Sequence, residues 1–124
     1  MYLVDSCTIV SAFRPAESAF EESRQLIFSL PRFCVTDHVL AEVGTILKFR
    51  VNTRVSKQAL DLLCHNEAVS LLRLSAEELE NTIDFFISQK RLSFVDASLV
   101  VMARERGLAL ITQDKALLKA FKSY

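Results

Sequence analysis

Apolar positions along this chain follow two alternating rhythms. Short apolar runs read as buried strands at Tyr2–Asp5, Phe33–Thr36, Ala68–Leu72 and Leu108–Thr112, the last being the clearest. Between them, apolar residues recur three and four apart, the spacing of one helix face. In Ala16–Leu30 the stripe is Phe20, Ile27 and Leu30, with Leu26 beside them, while Glu17, Glu21, Glu22 and Arg24 fall elsewhere. A shorter helix, Thr8–Phe13, stops before Pro15, which disfavours helix at Arg14; Pro31 ends the longer one. A helix capped by Thr36 or Asp37 extends to about Arg50 and turns Val39, Leu40, Val43, Ile46 and Leu47 inward. Val55–His65 is a further helix, with Thr53 or Ser56 near its start. Ser75 opens a capping box with Glu78 three residues on, starting a helix to about Gln89. Ser93 caps Phe94–Arg106, which Gly107 closes, and Asp114–Phe121 is the final helix.

Strands alternating with helices predict an α/β fold, a three-layer α/β/α sandwich around a small, mostly parallel central sheet. One domain over residues 1–124 is expected, with no repeat or linker. Two Gly and two Pro leave few tight hairpins, and 51% hydrophobic residues supply one substantial core. Net charge is zero, which argues against a broad basic surface for nucleic acid. Cys7, Cys34 and Cys64 are odd in number and widely spaced, fitting neither a disulfide framework nor a zinc motif. Buried free thiols in a reducing cytoplasm are expected. No basic, then apolar, leader is evident, and no apolar run approaches the roughly 20 residues of a membrane span.

Four acids break the apolar pattern. Asp5 ends the run Tyr2-Leu3-Val4, and Asp114 follows Leu108–Thr112. Both fall at or just past strand ends, where parallel sheets form their sites. Glu42 follows Val39 by three and precedes Ile46 by four; Asp96 follows Leu92 by four and precedes Leu99 by three. Those two therefore lie on apolar helix faces, where a charge is rare unless paired. Asp5 and Asp114 also suit helix caps, and Arg or Lys partners would account for Glu42 and Asp96. Two carboxylates roughly 5 Å apart repel by about 3 kcal/mol at an effective dielectric near 20. A converged quartet therefore predicts a raised pKa on at least one member, or a bound Mg²⁺ or Mn²⁺ held by oxygen ligands. No His or Cys stands near the four in a ligand spacing; His38 and His65 read as surface residues.

Ser6 and Thr112 flank the two strand-end acids, and their hydroxyls suit either orientation of the carboxylates or local capping. Lys48, Arg50, Arg54 and Lys57 form a basic segment that suits either a phosphate backbone or a solvated helix–loop–helix tip. Arg14, Lys90 and Arg91 are further basic candidates near helix ends, and Glu77, Glu78, Glu80 and Asp84 read as a solvated acidic face.

In order and spacing, four segments resemble the PIN domain family, in its small standalone VapC-like form. They are Leu3-Val4-Asp5-Ser6, Thr36-Asp37-His38-Val39-Leu40-Ala41-Glu42-Val43, Leu92-Ser93-Phe94-Val95-Asp96-Ala97 and Ala109-Leu110-Ile111-Thr112-Gln113-Asp114. The resemblance implies a metal-dependent endoribonuclease, the toxin of a toxin–antitoxin pair. It maps the family's acids onto Asp5, Glu42, Asp96 and Asp114, holding one or two Mg²⁺ or Mn²⁺ ions, and its hydroxyl positions onto Ser6 and Thr112. It further implies an RNA substrate, a homodimer and a small antitoxin that covers the site. Ser6-Cys7 stands where Thr-Ser or Thr-Asn is more usual in that family. Two other readings suit part of the pattern. A phosphoacceptor signalling domain matches the size and alternation, but it needs two adjacent acids after the first strand and one after the third, and residues 68–74 carry none. A non-catalytic binding module needs no cation.

Overall fold

Four short strands carry most of the apolar runs and assemble into one all-parallel sheet of order β3-β2-β1-β4. They are β1 (Tyr2–Val4), β2 (Phe33–Thr36), β3 (Val69–Leu72) and β4 (Ala109–Ile111). The computed structural model describes all of residues 1–124. Register is fixed by Leu3 opposite both Cys34 and Leu110, and by Cys34 opposite Ser70. Leu3, Val4 and Val35 are fully buried, as expected of parallel strands covered on both faces.

Seven helices flank the sheet: α1 (Ser6–Ala12), α2 (Phe20–Ser29), α3 (Asp37–Arg50), α4 (Thr53–His65), α5 (Ala76–Ser88), α6 (Phe94–Arg106) and α7 (Lys115–Ser123). No helix is long and apolar enough to cross a membrane. The apolar face of α3 is Val39, Val43 and Leu47, each fully buried, with Leu40 and Ile46 at its margin. In α6 the run Ala97–Ala103 is buried throughout, so this helix is the main wall of the core. Gly107 closes α6 at φ +66°, the left-handed conformation that glycine enters without strain.

The helix boundaries differ from expectation where a side chain caps earlier or a turn intervenes. Helix α1 begins at Ser6, because the Asp5 carboxylate caps the Thr8 amide (2.9 Å). Helix α2 begins at Phe20 and not at Ala16, because the chain after Pro15 turns first. The Glu17 amide donates to Arg14 O and the Phe20 amide to Glu17 O, while Arg14 pairs with Glu17. Helix α4 begins at Thr53 under an Asn52 cap; Ser56 instead turns inward, its hydroxyl donating to Gly44 O (2.8 Å) and tying α4 to α3.

One expectation fails outright. Glu78 is not part of a solvated acidic face but is only 6% exposed. Arg106 grips it bidentately, Nε to Oε2 (2.7 Å) and Nη2 to Oε1 (2.6 Å), and so locks the start of α5 to the end of α6. This guanidinium holds the Glu78 carboxyl down at about 2, with the Ser75 capping box adding to the effect.

Candidate functional site

The sheet order decides where the acids meet. From β1 the chain moves through α1 and α2 to β2 on one side, and its last strand, β4, lies on the other. The carboxyl ends of β1 and β4 therefore border the topological switch point, where open parallel sheets form their crevice. Asp5 directly follows β1, its amide donating to Ile111 O (3.1 Å) and extending the ladder by one bond. Thr112 directly follows β4, and Asp114 comes two residues later. Helix α3 leaves the carboxyl end of β2 and brings Glu42 in its second turn. Helix α6 leads through Gly107 and Leu108 into β4, running back along the sheet, so its first turn, with Asp96, lies at the same end.

The carboxylates are individually anchored. Asp5 is 2% exposed. Its Oδ1 accepts from the Thr8 amide and its Oδ2 from the Thr112 hydroxyl. The Thr112 hydroxyl in turn accepts from the Asp114 amide (3.0 Å), joining both strand ends in one chain of bonds. Asp114 caps α7 through Oδ1, accepting from the amides of Ala116 (2.9 Å) and Leu117 (3.2 Å). Glu42, half-buried, accepts at Oε1 from the buried Ser6 hydroxyl (2.5 Å). Asp96, also half-buried, lies in the turn that Ser93 caps.

Cys7 reports how these groups stand together. Its thiol is pushed up to about 11, first by desolvation and then by Asp5, Asp114, Asp96 and Glu42 in that order. One sulfur thus lies within the field of all four acids. Asp96 is also raised, chiefly by burial and further by Asp114 and Glu42, against the lowering effect of Ser93. The four do not close into a cage: no three His, Cys, Asp or Glu side chains form a ready metal-holding group. Asp5, Glu42 and Asp114 each accept from protein donors. The donor set fits Mg²⁺ or Mn²⁺ in chemistry, being carboxylates with hydroxyls beside them.

Sequence reasoning missed Cys7, although it lies only two residues beyond Asp5. Cys7 and Cys64 are exposed, and only Cys34 is buried, so the expectation of three buried thiols holds for one. His38 is half-buried and not a plain surface residue. Its ring meets Phe94 edge-on at 6.3 Å, and its Nδ1 lies 3.3 Å from Asp37 without a hydrogen-bond geometry.

Three of the basic candidates lie at the end of α3 and the start of α4. Lys48 and Arg50 occupy the last turn of α3 and Arg54 the first turn of α4. Arg50 is eight residues beyond Glu42, roughly 12 Å farther along the helix axis. Arg14 is already paired, its Nη1 2.9 Å from Glu17 Oε1.

The sequence matches the family profile for the PIN domain over residues 2–122. Among curated proteins no sequence match is found. Solved structures share the fold, and three of them illustrate it. VapC20 from Mycobacterium tuberculosis, described as a sarcin–ricin loop cleaving toxin, has a TM-score of 0.88 at 21% identity, covering 97% of this chain and 95% of that one. A toxin–antitoxin complex from Klebsiella pneumoniae has a TM-score of 0.68 at 20% identity, covering 92% and 87%. FitAcB from Neisseria gonorrhoeae has a TM-score of 0.67 at 16% identity, covering 98% and 94%.

Proposed function

We propose, from the premise that this chain belongs to the PIN domain family, that it is an endoribonuclease dependent on Mg²⁺ or Mn²⁺ and acts as the toxin of a toxin–antitoxin pair. The observation that carries the reading is the bonded chain at the carboxyl ends of β1 and β4, where Thr112 links Asp5 to Asp114 and Ser6 reaches Glu42. In a family of this fold, the phosphoacceptor alternative loses its basis.

Asp5, Glu42, Asp96 and Asp114 are the groups that would hold the cation. When bound, it would supply charge for the scissile phosphate and acidify a water for attack. Asp5 is the fixed member, since two donors from separate elements hold its two oxygens. Ser6 aims Glu42, and Thr112 aims Asp5 while receiving the Asp114 amide. These hydroxyls are positioning groups, setting the carboxylates before substrate arrives. Asp96, raised by its surroundings, is the member with most to gain from a positive partner.

The toxin assignment is supported by the described roles of VapC20 and of the Klebsiella pneumoniae complex, and so is a small antitoxin partner. A homodimer is part of the same reading; the exposed Leu79, Ile83 and Ile87, spaced four apart on α5, support a second copy as a neighbour.

The test is cleavage of labelled cellular RNA by purified protein with Mg²⁺ or Mn²⁺, beside Asp5→Asn and Asp96→Asn. Cleavage by wild type that chelation stops, and at least a hundredfold loss in each folded variant, is expected. Undiminished cleavage in either variant would sink the assignment of these residues. Cation binding without cleavage of any RNA would favour a binding module.

A further inference from the structure

Beside the acid crevice lies a groove of about 520 Å³ that the acids do not line. One wall is the connection from α5 to α6, with Ser88, Gln89, Lys90, Arg91 and Leu92; the other is one face of α7, with Ala116, Lys119, Ala120 and Ser123. Three of these side chains are cationic and none is acidic. In a chain whose net charge is zero, that local excess stands out. Lys90, Arg91 and Lys119 take part in no ion pair and no side-chain hydrogen bond, unlike Arg14, Lys57 and Arg106, which are all paired. Unpaired cations in one groove leave an unmet positive field.

The groove adjoins the turns that carry two of the acids. Ala116, on its wall, donates its amide to Asp114. Arg91 and Leu92 lead directly into Ser93, the cap of the turn that holds Asp96. From Ala116 to Ser123 the α7 face runs roughly 10 Å away from the acids. The walls are fixed. Arg104 stacks on Phe121 (4.5 Å) and donates to its carbonyl (2.8 Å), while Tyr124 meets Phe85 edge-on (4.7 Å). The small Ala116 and Ala120 keep the floor open between the longer cations.

We propose that this groove is a phosphate-tracking subsite for single-stranded RNA, in which Lys90, Arg91 and Lys119 hold backbone phosphates next to the scissile one. It rests on the ribonuclease reading above. The chemistry is complementary: four acids repel a polyanion unless it is held nearby, and an Arg fork with two Lys point charges matches successive phosphates. Recognition there is independent of base identity.

The test uses a fluorescein-labelled single-stranded RNA of mixed sequence and the Asp96→Asn protein, so that the probe survives. Anisotropy gives affinity across salt. Each phosphate contact on a single strand contributes about 0.7 to the slope of log affinity on log salt. Lys119→Gln and Arg91→Gln should each lower that slope by about 0.7, and the Lys90/Arg91/Lys119 triple Gln variant by about 2. Lys57→Gln, on α4 and paired with Asp61, should leave it unchanged. In the cleaving protein the triple variant should raise KM more than it lowers kcat.

Unchanged slopes in the Lys90, Arg91 and Lys119 variants, with a wild type that cleaves RNA, would overturn the groove alone and leave the nuclease reading standing. A wild type that neither binds nor cleaves RNA would overturn both. Loss of affinity for a poly-glutamate peptide with RNA affinity intact would overturn the proposal in favour of an acidic protein partner.

Discussion

Replacing Glu78 by Gln removes the negative half of the pair that ties α5 to α6, the helix that carries Asp96. The structure sets the size of the effect. Glu78 is 6% exposed, and the Arg106 fork closes on both its oxygens at 2.6 and 2.7 Å. That contact holds the carboxyl at about 2 against an ordinary value of 4.5, a gap worth about 3 kcal/mol. The folded value is the depressed one. The stabilisation is therefore complete above about pH 5 and disappears as pH falls toward 2. Arg106 keeps its bond to Arg73 O (2.7 Å), so part of its fork stays satisfied in the variant. A loss of about 2–3 kcal/mol is expected near pH 7, shrinking toward zero near pH 2. Urea unfolding of wild type and Glu78→Gln across that range reads it directly. Every other ionisable group is common to both proteins and cancels in the difference. Glu77→Gln, at an exposed neighbour, should change stability by less than about 0.5 kcal/mol. Equal midpoints for wild type and Glu78→Gln at pH 7, or a difference undiminished at pH 2, would refute the reasoning.

Asp96→Asn should stabilise the cation-free protein, because it removes a desolvated charge opposed by Asp114 and Glu42; chemical denaturation in chelator measures it, and destabilisation would count against this reading of Asp96. Ser6→Ala should weaken Mn²⁺ binding by about tenfold by freeing Glu42 from its aim, with little change in Tm; calorimetry with a melting curve separates the two. Gly107→Ala should cost about 1 kcal/mol, since a Cβ there meets nothing within 4 Å and only the left-handed backbone resists it; a larger loss in urea unfolding would mean that packing had been misjudged.

Periodicity made the architecture legible because the central strands β1 and β2 are largely buried and helices such as α3 and α4 bury one face. Val39, Val43 and Leu47 were readable as inward from their spacing alone. Caps that depend only on neighbours, such as Ser75 with Glu78 and Ser93 with Asp96, were readable for the same reason. Bonds between distant segments were not. Glu78 belongs to a capping box in sequence, but its burial comes from Arg106, twenty-eight residues away. Cys7 follows Asp5 closely, yet its place among four acids depends on strand order. Lys119 joins Lys90 and Arg91 only because α7 docks beside the α5–α6 connection. The acids themselves stood out because charge in an apolar stripe needs a reason; the hydroxyl partners of Asp5 and Glu42 needed the fold.

The account turns on Asp5, Glu42, Asp96 and Asp114 acting as one oxygen-ligand site. Calorimetric titration of Mn²⁺ into the wild type and into the four single Asp→Asn or Glu→Gln variants measures this most directly. The account predicts saturable binding at millimolar or tighter concentration in the wild type, weakened at least tenfold by each substitution. A wild type that takes up no Mn²⁺, or a binding curve that survives all four substitutions unchanged, would contradict it.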